Sequence, residues 1–226
     1  MIAYTQRYFG TEPWEKDWPP FGEQTHSDDL AAFIQGLNSG PVHLVAWSYA
    51  GQIAFDAALR HPELVRSAFI FEPAVPSFIT DAADLKRLAD DGAAFGAPAK
   101  ALQAGDSAEA ARQLIDVVGG RTGFFDAQPA AVRAIQLDSA RTMPLLFASK
   151  PTPMITCAQL GQIKPPIAVV RGADTRPTFE VVAEGAARCR PSSARIVVQK
   201  ANHMWPGEQP SAFSEAVATF VSGQYR

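Results

Sequence analysis

Ser48, His203 and a carboxylate at the end of a strand, Asp174 or Glu72, could together perform nucleophilic attack on a carbonyl. A serine hydroxyl is a poor nucleophile without a base, and the base needs an acid to orient it. Ser48 sits in Ala46-Trp47-Ser48-Tyr49-Ala50-Gly51, between an apolar run and a helical pattern stopped by His61-Pro62. A tight strand-to-helix turn of this kind lifts the hydroxyl above a sheet. It needs small residues two before and two after the serine, where backbone segments come close. Ala46 and Ala50 meet that need. In a chain rich in Ala and Gly such a pattern arises by chance about once, so its setting carries the argument. Ala50, Ala54, Ala57 and Ala58 give the following helix a narrow face for close packing on a sheet. The helix start also points N–H groups at the site, and the Tyr49 N–H is the first donor for an oxyanion.

The base comes from four histidines. His43 lies inside a strand pattern and is expected in the core. His61 precedes Pro62 as a helix stop, and His26 is expected near a helix cap on a polar loop. His203 follows the last strand on a loop before the final helix, which makes it the candidate base. Asp174 follows strand 167–170 through Arg171-Gly172-Ala173 and completes the order Ser…Asp…His. It is the expected acid, with Glu72, just after strand 68–71, as its competitor. Trp47 and Trp205 flank the proposed catalytic residues, where they either wall a substrate pocket or simply pack. Phe147 is the third candidate pocket residue, with core packing as its alternative role.

These residues need a frame that brings strand ends together. Val42–Ala46, Ala68–Phe71, Ile167–Val170 and Arg195–Val198 are continuous apolar runs and read as strands buried on both faces, paired in parallel. Ile2–Thr5 is a candidate fifth. A helix is expected over Leu30, Phe33, Ile34 and Leu37, capped by Ser27 or Thr25 with Asp28 and Asp29 in its first turn. Another runs through Phe213, Val217, Phe220 and Val221. Strands alternating with helices imply α/β architecture. Residues 76–165 break the rhythm with helical patterns alone, so the expected division is an α/β core, 1–75 and 166–226, with a helical insertion over it.

Composition limits the partners. The 226 residues carry a net charge of −3, with 19% charged and 47% hydrophobic residues. That leaves no basic excess for nucleic acid. No apolar run is long enough to span a membrane, and the first residues lack the basic-then-apolar order of a signal peptide. Cys157 and Cys189 are expected as free thiols of a cytoplasmic protein. No metal-ligand cluster, phosphate loop or nucleotide fingerprint occurs, so neither metal nor cofactor is expected.

Taken together, Val42 to Gly51, Arg60-His61-Pro62-Glu63-Leu64-Val65, Val170 to Asp174, and His203 with Glu208, Pro210 and Phe213 resemble the α/β-hydrolase superfamily over nearly the whole chain. The resemblance implies a mostly parallel sheet with a helical cap inserted after the family's sixth strand. It implies a serine hydrolase of the acyl-transfer type with a small, apolar ester-like substrate. The same triad could instead serve cofactor-free perhydrolase or C–C bond hydrolase chemistry. Serine as nucleophile argues against the branches that use aspartate. Two departures stand out. Alanine replaces the usual glycine at 46 and 50. By the resemblance Ile2–Thr5 is the fourth strand, so the first three have no counterpart, nor does the His-Gly turn that supplies an oxyanion N–H. That reading expects an N-terminally truncated frame with Val42–Ala46 as an uncovered edge open to pairing with another chain. It also raises an alternative to the enzyme, a fold remnant that binds without turnover.

Overall fold

A computed structural model describes residues 1–149 and 155–223. Residues 150–154 of the expected cap range lie outside the described residues. After an irregular start the chain forms α1 (Glu23–Leu37), β1 (Val42–Trp47), α2 (Tyr49–Arg60) and β2 (Val65–Phe71). Among the described residues seven α-helices follow: α3 (Ala82–Gly92), α4 (Gly96–Gln103), α5 (Ser107–Val118), α6 (Phe124–Ala127), α7 (Ala130–Asp138), α8 (Met143–Ala148) and α9 (Cys157–Gly161). The core resumes with β3 (Ile167–Gly172), α10 (Pro177–Cys189), β4 (Ala194–Val198), α11 (Trp205–Glu208) and α12 (Pro210–Val221).

The four strands pair in parallel in the order β1-β2-β3-β4. Alternate side chains of β2 and β3 enter two separate cores. Ala68, Ile70, Ile167 and Val169 pack with Ala54, Phe55 and Val182 of α2 and α10. Phe69, Phe71, Ala168 and Val170 face Phe213 and Phe220 of α12. This two-sided burial explains the unbroken apolarity of the central strands. For β1 and β4 the two-sided expectation fails, because they are the sheet's edges and their burial alternates. Val45 on β1 is 44% exposed. Ile2–Thr5 joins no strand, and Ile2 is exposed, so the described sheet has four strands rather than five.

Other sequence expectations shift for local reasons. Helix α1 starts at Glu23 after Gly22, without a side-chain cap, so Ser27 and His26 lie inside it and are buried. His43 is not a core residue. It is exposed on the edge strand, with its Nδ1 2.7 Å from the Ser67 hydroxyl. Helix α5 is capped by Asp106, whose carboxylate accepts the Glu109 N–H.

The cysteines are also not free. Cys157 and Cys189 form a disulfide, with Cα atoms 4.9 Å apart, because α9 packs against the end of α10. The bond fastens the exit of the helical stretch to the α/β core. It closes a loop of 32 residues in sequence separation. Constraint of the unfolded chain by such a loop is worth about 2–4 kcal/mol. Reduction is therefore expected to lower the unfolding free energy by that amount, read as a lower urea midpoint in denaturation with and without a phosphine reductant. An unchanged midpoint would show that the cross-link adds nothing. Among the described residues no helix is long and apolar enough to cross a membrane.

Candidate active site

Three strand ends supply the site. Ser48 follows β1, Glu72 follows β2, and His203 lies on the loop after β4. Ligands of open α/β sheets collect beyond the carboxyl ends of the strands. Ser48 has φ 58° and ψ −123°, a conformation that costs a non-glycine residue about 1–3 kcal/mol. Backbone bonds hold it there. The Ser48 N–H donates to Phe71 O at 3.1 Å, and the Ser48 carbonyl accepts from Gly51 N at 2.9 Å and Ala74 N at 3.2 Å. Gly51 has no alternative, since a Cβ would lie 2.7 Å from Pro73 Cβ and 2.9 Å from Pro73 Cα. The strained serine is thus locked between its own helix and the turn after β2.

Glu72 is the second non-glycine outlier at a strand end, with φ 45°. Its side chain is fully buried and takes three donors. Oε1 accepts the Gly172 N–H at 2.8 Å. Oε2 accepts the Thr175 hydroxyl at 2.8 Å and lies 2.7 Å from His203 Nδ1. A carboxylate only accepts, so the His203 Nδ1 carries the proton. That leaves Nε2 as an acceptor, the tautomer a general base for a serine hydroxyl requires. The ring is itself 3% exposed. Phe179 stacks on it at 3.6 Å between centroids and 6° between planes, and Trp47 lies 5.6 Å away. Burial pushes the His203 pKa below the ordinary histidine value, opposed by the hydrogen bond and charge of Glu72.

The expected acid is therefore corrected. Asp174 is exposed, and its backbone N–H donates to Ala201 O at 2.9 Å. The acid on His203 is Glu72, and sheet register gives the reason. β2 ends opposite Val170, where the Glu72 N–H donates to Val170 O at 2.8 Å. β3 continues two residues further, with Gly172 paired to Val198. The end of β2 leaves Glu72 level with Gly172, whose N–H it accepts, while Asp174, two residues further on, has its N–H on Ala201 O and its side chain exposed. Strand-end position and the chain order Ser…Asp…His favoured Asp174 over Glu72, and neither signal contains the sheet register.

The aromatic candidates also separate. Trp47 contacts His203 and joins Phe179, Met204, Val118, Phe124 and Phe95 in one apolar cluster. Trp205 does not wall the site. It is buried on the α12 side against Phe71 and Phe213. Phe147 packs inside the helical stretch with Met143 and Ala110, in a different cluster from Trp47 and Phe179. The sequence reading missed the neighbourhood of Tyr49. That side chain lies among Phe9, Phe21 and His26, and burial with the Glu23 carboxylate drives its hydroxyl pKa upward. The only earlier signal was aromatic density in residues 4–21. Among the described residues no cluster of His, Cys, Asp and Glu could hold a metal ion.

Solved structures with this fold are numerous. MenH from S. aureus superposes with a TM-score of 0.70 at 16% identity, covering 98% of this chain and 82% of its own. A thermophilic esterase from Thermogutta terrifontis gives 0.66 at 19%, covering 98% and 79%. A bromoperoxidase from Bacillus anthracis gives 0.70 at 17%, covering 95% and 79%. At such identities they speak for the fold alone. Comparison with curated proteins gives no match. The alpha/beta hydrolase family matches residues 2–216, nearly the whole chain, and with a parallel sheet and a serine on a strand-to-helix turn the protein belongs to that family.

Proposed function

We propose that the protein is a serine hydrolase acting on an ester or related carbonyl through Ser48, His203 and Glu72. The observation that carries this reading is the 2.7 Å contact between His203 Nδ1 and Glu72 Oε2, both buried, with Ser48 held at positive φ and bonded through its backbone to Phe71 and Ala74 on either side of Glu72. Ser48 Oγ attacks the carbonyl carbon while His203 Nε2 takes its proton. Glu72 stabilises the imidazolium without itself becoming protonated. Charge builds on the carbonyl oxygen, and the Tyr49 N–H at the start of α2 donates to it. The tetrahedral intermediate collapses as His203 returns the proton to the leaving group. Water, activated by the same histidine, then releases the acyl-enzyme.

The apolar cluster around His203 suits an uncharged acyl group, since Trp47, Phe179, Met204 and Val118 offer it no ionic partner. Helices α3–α9 act in this reading as the cap that excludes water from the intermediate. The test is covalent labelling with a fluorophosphonate, located by mass spectrometry. The expected adduct is on Ser48, lost in Ser48→Ala. A folded protein left unlabelled at Ser48 would sink the proposal and favour a binding protein without turnover.

A further inference from the structure

The residue after the nucleophile is anchored by a histidine with no place in the triad. His26 is 1% exposed, inside α1. Its Nε2 lies 3.0 Å from the Arg7 carbonyl and its Nδ1 2.9 Å from the Tyr49 hydroxyl. A carbonyl only accepts, so Nε2 carries the proton. In the neutral ring Nδ1 is then an acceptor, and the Tyr49 O–H donates to it. Burial lowers the His26 pKa, which keeps the ring neutral near pH 7.

The two rings stand nearly perpendicular, at 85°, and Phe21 stacks on Tyr49 at 17° between planes. The Arg7 that presents the carbonyl is itself fixed, through a bidentate ion pair with Asp29 on α1. Tyr49 is therefore tied at both ends. Its backbone opens α2 beside the strained Ser48, and its hydroxyl is bound to a different helix.

We propose that His26 is a positioning residue, which holds the Tyr49 backbone N–H in the direction needed to meet the oxyanion. The inference rests on the triad reading above. Its physical basis is that a donor misplaced by a fraction of an ångström loses much of its worth in the transition state.

The test compares His26→Phe, Tyr49→Phe, the double variant and His26→Asn, whose Oδ1 falls near the position of Nδ1. The fluorophosphonate supplies the reaction, as the acylation rate at saturation and the half-saturating concentration. Each single change to Phe is expected to slow acylation about tenfold with little change in half-saturation. The double variant should be no slower than either single, because both remove one interaction. His26→Asn should recover most of the rate, a rescue that simple loss of packing would not give. Unchanged rates, losses that multiply in the double variant, or failure of Asn to rescue would each overturn the proposal. If wild-type Ser48 takes no label, the triad reading fails separately. The Tyr49 amide cross-peak then decides about His26: it should move in His26→Phe and return in His26→Asn, and a peak that stays in place overturns the proposal.

Discussion

Glu72→Gln is expected to lower kcat by about 10³–10⁴ while leaving the protein folded. The carboxylate takes three donors, and an amide offers one acceptor oxygen. Its NH2 must then face the Gly172 N–H on one side or His203 and Thr175 on the other. Facing His203, it favours the tautomer with the proton on Nε2, which can no longer accept from a serine hydroxyl. Asp174→Asn is the matched control and should stay within about threefold of wild type, as expected for an exposed side chain.

The pH profile adds a signature with a definite sign. The base works neutral, so kcat/KM falls as pH drops through the His203 pKa. Burial already holds that pKa below the ordinary value, and Glu72 opposes the shift. Removing the carboxylate lets the pKa fall further, so the remaining activity should lose its acid limb at a lower pH than wild type. Steady-state rates on a p-nitrophenyl ester across pH measure both effects. The opposite ranking, with Asp174→Asn crippled and Glu72→Gln near normal, would return the acid's role to Asp174.

Gly172→Ala is the second change with a large expected effect, although it adds a single methyl. A Cβ at Gly172 would lie 2.0 Å from Ala201 O, 2.5 Å from Ala201 C and 3.1 Å from Asn202 N. All three are backbone atoms, so no side chain can swing aside. They belong to the segment leading directly into His203, and Ala201 O also accepts the Asp174 N–H at 2.9 Å. Relief requires β3 and the histidine loop to part, which also pulls the Gly172 N–H away from Glu72. The expected loss is about 1–3 kcal/mol of stability, the usual range for overpacking. Among the molecules that remain folded, kcat should fall about 100-fold from misplacement of His203. Gly207→Ala, where an added Cβ meets nothing within 4 Å, is the control and should retain the wild-type rate. Urea denaturation with ester hydrolysis on the same samples separates the two losses. A Gly172→Ala protein as stable and as fast as wild type would mean that the loop is free to move.

Much of the frame was legible because its signals are local. The four strands, the serine turn and its small-faced helix were all visible as short patterns, since burial on two faces demands unbroken apolar runs. The same logic over-reached at the edges. Val42–Trp47 and Ala194–Val198 carry apolar runs like those of the central strands, yet each has a neighbour on one side only within the described sheet. Pairing is a property of two segments, and neither records it alone. Cys157 and Cys189 show the same limit, because it took the packing of α9 on α10 to bring them together.

By itself the sequence determined that a serine would stand on a tight turn after a parallel strand and that His203 would follow the last strand, while its preference for Asp174 over Glu72 did not match the contact His203 makes. These follow from composition and spacing within a few residues, which the backbone reads locally. Only the tertiary structure set Glu72 rather than Asp174 against His203, because that contact depends on where β2 stops relative to β3 in the sheet. Only it brought His26 under Tyr49, 23 residues away in the chain, by packing α1 against α2. Hydrogen-bond partners across a fold are set by register and helix packing. Those are fixed by the whole core at once, so no short stretch of sequence contains them.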